Sequence, residues 1–593
     1  MATQAQSAVS IQQEMVRRRA PFVMLGVMIL SSTLLLRVIS FQFPQDARVS
    51  REFATQRDAN AGRIETFESA RGIIYDRNGY ILADNRRRFR IGVSPNLVAD
   101  PEQTANDLAA ILGRDPVEIF NILRSDALYV PLGTIDPDVW QQIDALDLGR
   151  AIQEERLFER FYPQAPLASQ VIGFVYGQGE DSLGSNGVEG EYQNRLAGVI
   201  ADQEVSNLPF GVPEDGSVLQ VGDDLVLTID RDIQFLIEQE LQRAVVETGA
   251  EGGTIIVMDP RTGDVLGMTS YPTYDNNNFA DADPDLLNNP AVSDTYEPGS
   301  VFKVLTVAAA LDLGVITADW VYNDTAVLTV PGGVEIENWD RRAHGLVDTQ
   351  GVLVQSLNVG AATISNLMGR DNFYLMLSRF NIGTITNIDI QGEEQGQVRI
   401  PGDEFWSESD LATNAFGQGI AVTPLQMLTA INAIANEGVI MQPRIVHQII
   451  DGDDIETTRI VALSRPISAI TAQLVTDMMV ATVRDGFDEA AQLPGYSVAG
   501  KTGTAEIPDP GIGYRDDAWI MSFAGFLPAD NPQVSILIII DSPANLENQR
   551  WASQVAAPVF RRLAERLVIL MEIPNDEIRL ALEEQGGMVA DTP

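Results

Sequence analysis

Cysteine is absent from all 593 residues, which removes disulfides, thiol nucleophiles, iron-sulfur clusters and cysteine zinc sites together. Histidine occurs only as His344 and His447. Neither has a second ligand or carboxylate at a telling spacing, so structural roles are expected for both and no metal or organic cofactor is implied. Positive charge is scarce, with 40 Lys and Arg against 83 Asp and Glu and a net charge of −43. Such a surface repels a phosphate backbone, and no nucleic-acid partner is expected.

Lysine is nearly missing as well. Only Lys303 and Lys501 are present, and arginine supplies the other basic residues. Arginine can snorkel and pair with acids, but it cannot give up its proton near neutral pH, whereas a buried lysine can. Both lysines stand in patterns suited to serine acylation, Ser300-Val-Phe-Lys303 and Lys501-Thr502-Gly503. A bias against lysine explains the scarcity but not the placement.

What is there reads as a membrane-tethered chain of several domains. Residues 1–20 are polar and include Arg17, Arg18 and Arg19; residues 21–43 are almost uncharged and long enough to span a bilayer, with Arg37 snorkelling. No small-x-small cleavage site follows, so an uncleaved anchor is expected, with the arginines cytoplasmic and the rest outside. Residues 44–215 alternate short apolar runs and turn signals. Arg71 to Ala83 reads as a hairpin around Asp-Arg-Asn-Gly, Pro101–Leu112 and Pro116–Leu123 as helices, and Gly187–Gly190 as a tight loop. A pedestal or partner-binding domain is expected there.

A larger domain is expected over 216–572, followed by a loosely held acidic tail over 573–593. Leu225–Asp230, Thr254–Asp259, Val265–Thr269, Ser497–Thr504, Trp519–Leu527 and Val534–Ile540 read as strands. Helices are expected at Asp232–Thr248, within Ser300–Ile434 and from Ala557 to Leu570. Helices inserted between early and late strands predict an α+β fold, one antiparallel sheet with a helical lobe.

Ser300 falls at the start of a helix after Glu-Pro-Gly, and Lys303 is three residues on, so both reach one face. A desolvated lysine can take the serine proton. Ser356-Leu357-Asn358 is a polar triplet in an apolar stretch expected to be helical; Ser356 suits a proton relay and Asn358 suits holding Lys303 or a substrate backbone. Lys501-Thr502-Gly503-Thr504 falls on a predicted edge strand whose glycines allow an extended peptide to pair. Lys501 would supply positive potential, and the Thr502 and Thr504 hydroxyls would grip a terminal carboxylate. The Ser300 and Thr504 N–H groups are candidate oxyanion donors. Each element alone is common; their weight comes from company.

Taken in order, Ser300/Lys303, Ser356/Asn358 and Lys501 to Gly503 resemble the motif set of penicillin-binding proteins and serine β-lactamases. Glu297 to Lys303, Asn414-Ala-Phe-Gly-Gln-Gly419 and Lys501 to Glu506 look like the class B, monofunctional penicillin-binding proteins, and Arg71 to Ala83, Tyr162-Pro163 and Gly187 to Glu191 resemble that family's pedestal. No glycosyltransferase pattern precedes residue 215. The resemblance implies a peptidoglycan D,D-transpeptidase that cross-links stem peptides through a Ser300 acyl-enzyme and is acylated by β-lactams. It implies as partners a polytopic membrane glycosyltransferase and other division or elongation proteins. The alternatives are a β-lactamase or D,D-carboxypeptidase using water, and a mainly non-catalytic activator of a glycan polymerase.

Overall fold

The computed structural model describes residues 28, 31–33, 63–177, 182–198, 200–205, 221–509, 513–544 and 551–582. The span expected over 21–43 lies, except for Met28 and Ser31–Thr33, outside them, and among the described residues no helix is long and apolar enough to cross a membrane. The chain divides into two compact units, residues 1–67 with 200–219 and residues 68–199 with 220–593. The first holds a two-stranded sheet of Arg63–Glu68 and Ile200–Val205.

The second unit opens on the expected hairpin, β1 (Ile74–Tyr75) and β2 (Ile81–Val93). The Asp76 carboxylate accepts the N–H groups of Asn78 and Tyr80 and so fixes the turn between them. Helices Pro101–Leu112 and Pro116–Leu123 begin where Asp100 and Asp115 cap a proline-led first turn. Strands β3 (Val130–Ile135) and β4 (Ile152–Phe161) pair with β2. The loop expected at Gly187–Gly190 is instead a helical turn, Gly187–Glu191. That turn buries Glu189 between two guanidiniums, Arg71 Nε at 2.7 Å and Arg160 Nε at 2.6 Å.

Strand β5 (Asp224–Leu227) pairs parallel with β1 and antiparallel with Val446–Asp451, so one sheet carries N-terminal and late segments together. Helix α1 (Arg231–Thr248) starts at an Asp230 cap and ends on Gly249 in the left-handed region, φ 62°. Then follow β6 (Gly252–Met258), β7 (Val265–Tyr271), α2 (Lys303–Asp312), α3 (Asn358–Met368), α4 (Pro424–Ala435) and α5 (Ala469–Asp485). The chain closes with β8 (Ala499–Asp509), β9 (Gly513–Leu527), β10 (Val534–Asp541) and α6 (Ala552–Leu570).

Five of these strands form the expected antiparallel sheet in the order β7-β6-β10-β9-β8, leaving β8 at an edge. Its middle strands read as unbroken apolar runs because both faces are covered. Ile536, Ile538 and Ile540 point into a core with α1 and α6, while Leu537 and Ile539 point into a second core with α2 and α4. Strands β8 and β9 run further than predicted, to Asp509 and from Gly513, through pairs such as Pro508 opposite Tyr514 and Asp509 opposite Gly513 that carry no apolar alternation. The C-terminal tail is docked at its start: residues 576–582 are helical, and Arg579 meets Asp530 at 2.6 Å and Asp576 at 2.7 Å.

Glu189 is fully buried; burial pushes its carboxyl up, but Arg160 and Arg71 outweigh that and hold it below its ordinary value. Its stabilisation is therefore present above the ordinary carboxylate pKa and lost as pH falls through the depressed folded value. Glu189→Gln strands two buried guanidiniums and is expected to cost about 3–5 kcal/mol at neutral pH, read from the urea midpoint. The gap from the parent should narrow below about pH 4.

Candidate active site

Three segments converge on one cleft of about 270 Å³ whose lining includes Ser300, Ser356, Asn358, Lys501, Thr502 and Thr504. Ser300 lies in a short 3-10 turn, Gly299–Phe302, that leads into α2, so Lys303 is the first α-helical residue. The turn is held from two sides. Gly417 approaches it so closely that a Cβ there would lie 2.4 Å from the Gly299 carbonyl oxygen, and its φ of 81° also favours glycine. Gly503 on β8 leaves room for the other side: a Cβ there would lie 2.8 Å from the Pro298 carbonyl oxygen. The glycine expected to admit a peptide thus also admits the nucleophile turn.

Lys303 is 0% exposed. Its Nζ lies 2.6 Å from the Ser356 carbonyl oxygen, 2.7 Å from Asn358 Oδ1, 3.0 Å from Ser300 Oγ and 3.3 Å from Ser356 Oγ. No carboxylate pairs with it among the described residues. Burial first, and the charge of Lys501 second, push its amine well below the ordinary lysine value.

Ser356 does not lie within a helix as the apolar stretch suggested. It bridges two helices, Thr349–Val354 and α3, in the left-handed region with φ 54°. That backbone turns both its carbonyl and its hydroxyl toward Lys303. Asn358 is fixed from behind, since its Nδ2 donates to the Glu337 carbonyl at 3.0 Å and Asn338 Oδ1 accepts the Val359 N–H at 3.1 Å. Asn338 is held in turn by the buried Asp324 carboxylate. Sequence reading missed this brace because it lies outside every spaced motif. His344 donates its N–H to Asp324, and neither histidine lines the cleft.

Lys501 is 2% exposed on β8; burial pushes its amine down and Asp488 works against that fall. Thr502 donates its hydroxyl to Asp488 Oδ1 at 2.5 Å, and its N–H points out of the sheet edge to Asp488 Oδ2 at 3.2 Å. Strand alternation directs the Thr504 N–H to the same open side. Thr504 Oγ1 accepts the Ala552 N–H at 3.1 Å, which pins the start of α6 five residues earlier than predicted. Trp339, Phe487 and Trp551, from three separate segments, meet edge to face at the rim with ring centroids 5.1 and 5.2 Å apart.

A left-handed conformation is strained for serine and alanine but not for glycine. Ser356→Gly and Ser356→Ala both delete the hydroxyl, and the glycine variant is expected to be more stable than the alanine variant by about 1 kcal/mol in thermal melts.

The family model described as the penicillin binding protein transpeptidase domain matches residues 253–565, and that of the penicillin-binding protein dimerisation domain matches residues 66–218. Penicillin-binding protein PbpB of Mycobacterium tuberculosis is 34% identical over 559 residues, covering 87% of this chain and 80% of that protein. Stage V sporulation protein D of Bacillus subtilis is 32% identical over 515 residues, covering 83% and 77%. The crystal structure of penicillin-binding protein 3 from Mycobacterium tuberculosis complexed with aztreonam is similar with a TM-score of 0.66 at 30% identity, over 86% of this chain and 98% of that one. Sequence order, sheet, cleft and relatives agree along both matched domains, and the chain belongs to the class B penicillin-binding proteins.

Proposed function

We propose that this protein is a peptidoglycan D,D-transpeptidase in which Ser300 is the acylated nucleophile and Lys303 its base. The observation that carries the reading is the surroundings of Lys303 Nζ. A neutral amine has two N–H donors and one lone pair. The Ser356 carbonyl at 2.6 Å and Asn358 Oδ1 at 2.7 Å accept the two donors, which leaves the lone pair for the Ser300 hydroxyl at 3.0 Å. A surface lysine would stay protonated and have nothing to offer the serine.

Ser300 Oγ attacks the carbonyl of the penultimate D-alanine of a donor stem peptide and passes its proton to Lys303. The tetrahedral oxyanion sits against the N–H groups of Ser300 and Thr504. The peptide bond breaks, and Ser356 relays the proton to the departing terminal D-alanine, whose carboxylate is held by Lys501 and the hydroxyl-bearing strand Thr502-Gly503-Thr504. An acceptor amine then attacks the ester carbonyl, its proton passes through the same relay to the departing Ser300 Oγ as the ester bond breaks, and the new amide is the cross-link. β-Lactams present a strained amide beside a carboxylate and acylate the same serine. No cofactor takes part.

The same reading assigns residues 21–43 as an uncleaved membrane anchor with residues 1–20 cytoplasmic and the catalytic domain outside. Residues 44–215 form the pedestal, residues 216–572 the transpeptidase domain and residues 573–593 the tail. The partner through anchor and pedestal is a polytopic membrane glycosyltransferase of division or elongation. The apolar 21–43 run and the arginines Arg17, Arg18 and Arg19 before it support this placement.

Intact-mass measurement of the full chain in detergent after exposure to a penicillin is expected to give a single adduct that Ser300→Ala lacks; no adduct on folded parent protein would favour the non-catalytic activator. Lys303→Arg keeps a charge but cannot release a proton, and acylation is expected to fall about 10²- to 10⁴-fold. Because burial lowers the Lys303 amine, acylation by the parent should rise with pH through that depressed value, as the base becomes neutral, and level off below the ordinary lysine pKa.

A further inference from the structure

Asp488 lies on the segment that follows α5 and runs beside the open edge of β8, thirteen residues before Lys501. No spaced pattern in the sequence includes it. The residue is 1% exposed, and a carboxylate so placed is unfavourable unless it is paired. Every described partner of that carboxylate belongs to the Lys-Thr-Gly strand. Oδ1 accepts the Thr502 hydroxyl at 2.5 Å, and Oδ2 accepts the Thr502 N–H at 3.2 Å and lies 3.8 Å from Lys501 Nζ.

These contacts divide the work of the strand. The Thr502 hydroxyl has one proton, and Asp488 accepts it, so toward the cleft the Thr502 oxygen can only accept. Thr504 is the reverse case: its oxygen accepts the Ala552 N–H, and its proton has no described acceptor. Lys501, whose Nζ donates to the Thr502 carbonyl at 3.1 Å, keeps a counter-charge behind it and lines the cleft.

We propose that Asp488 is a positioning residue for substrate recognition: it holds the Lys501 ammonium and turns the Thr502 hydroxyl away, so that a substrate carboxylate is taken by Lys501 and the Thr504 hydroxyl. Asp488 acts through Lys501 and Thr502 and touches no substrate itself. The inference rests on the acyl-transfer reading above and narrows how its cleft reads a carboxylate.

The test compares a penicillin with its methyl ester on the full chain, with acylation resolved into the non-covalent binding constant and the acylation rate constant. Asp488→Asn keeps the shape and removes the charge. Against the free carboxylate it is expected to lose about 10- to 100-fold, the range of a charge-assisted hydrogen bond, chiefly in binding. Against the ester the loss should be under about twofold, so the preference of the parent for the carboxylate collapses. Asp488→Ser, which retains an acceptor for the Thr502 N–H, carries the same comparison if the asparagine variant does not fold. Equal slowing with both compounds would make Asp488 a purely structural brace and overturn the proposal, as would no slowing with either. A parent protein that takes up no penicillin would overturn the acyl-transfer reading itself, whereas a reactive parent beside an unselective variant overturns only this inference.

Discussion

Burying an amine that has no carboxylate partner among the described residues is the constraint around which the rest of the structure is arranged. An ammonium in that place would be strongly disfavoured, and the environment of Lys303 resolves the conflict by favouring the neutral base. Its neighbours are then chosen for geometry rather than charge: a carbonyl, an amide oxygen and two hydroxyls. To bring a carbonyl and a hydroxyl of one residue to the same nitrogen, the chain accepts a left-handed serine at position 356. To keep Asn358 aimed, it builds the Asp324 and Asn338 brace behind it.

The two lysines are therefore not equivalent, though both are buried. Lys303 has no acid beside it among the described residues and its amine is pushed well below the ordinary lysine value, while Lys501 has Asp488 at 3.8 Å working against the fall that burial causes. The positive charge of Lys501 is itself one of the causes that lower Lys303. Replacing either by arginine would erase the distinction, since a guanidinium stays charged whether or not an acid faces it.

Much of this was legible because it is local. The hairpin at Arg71–Ala83, helices Pro101–Leu112 and Pro116–Leu123, the five strands of the central sheet and the edge position of Lys501 all follow from turn residues, proline-led caps and apolar runs. The three motifs do meet: Ser300, Ser356, Asn358 and Lys501 line one cleft, and Lys303 lies buried against the first three. What the sequence hid is what depends on distant pairing. Ser356 read as helical because its neighbours are apolar, and only the demand of Lys303 explains the break. The early start of α6 depends on Thr504, the extension of β8 and β9 on cross-strand pairing past a register shift, and Asp488 on a loop returning to the sheet edge. None of these leaves a period of two or of 3.6 in the sequence.

An exposed sheet edge is ordinarily a hazard, because its unpaired N–H and C=O groups invite any extended chain. Strand β8 presents such an edge, and the protein treats its two halves differently. At Thr502 the outward N–H is closed internally by Asp488, and the hydroxyl beside it is closed by the same carboxylate. At Thr504, two residues on, alternation leaves the outward N–H on the side of the cleft and of Ser300. The edge is therefore closed at Thr502 and left without a described internal acceptor at Thr504, beside Ser300. On the proposed acyl-transfer reading, selectivity for an extended peptide with a terminal carboxylate would follow from which edge groups remain unpaired, and Asp488, which closes one half, would be as much a part of that selection as the lysine and threonine that serve the other.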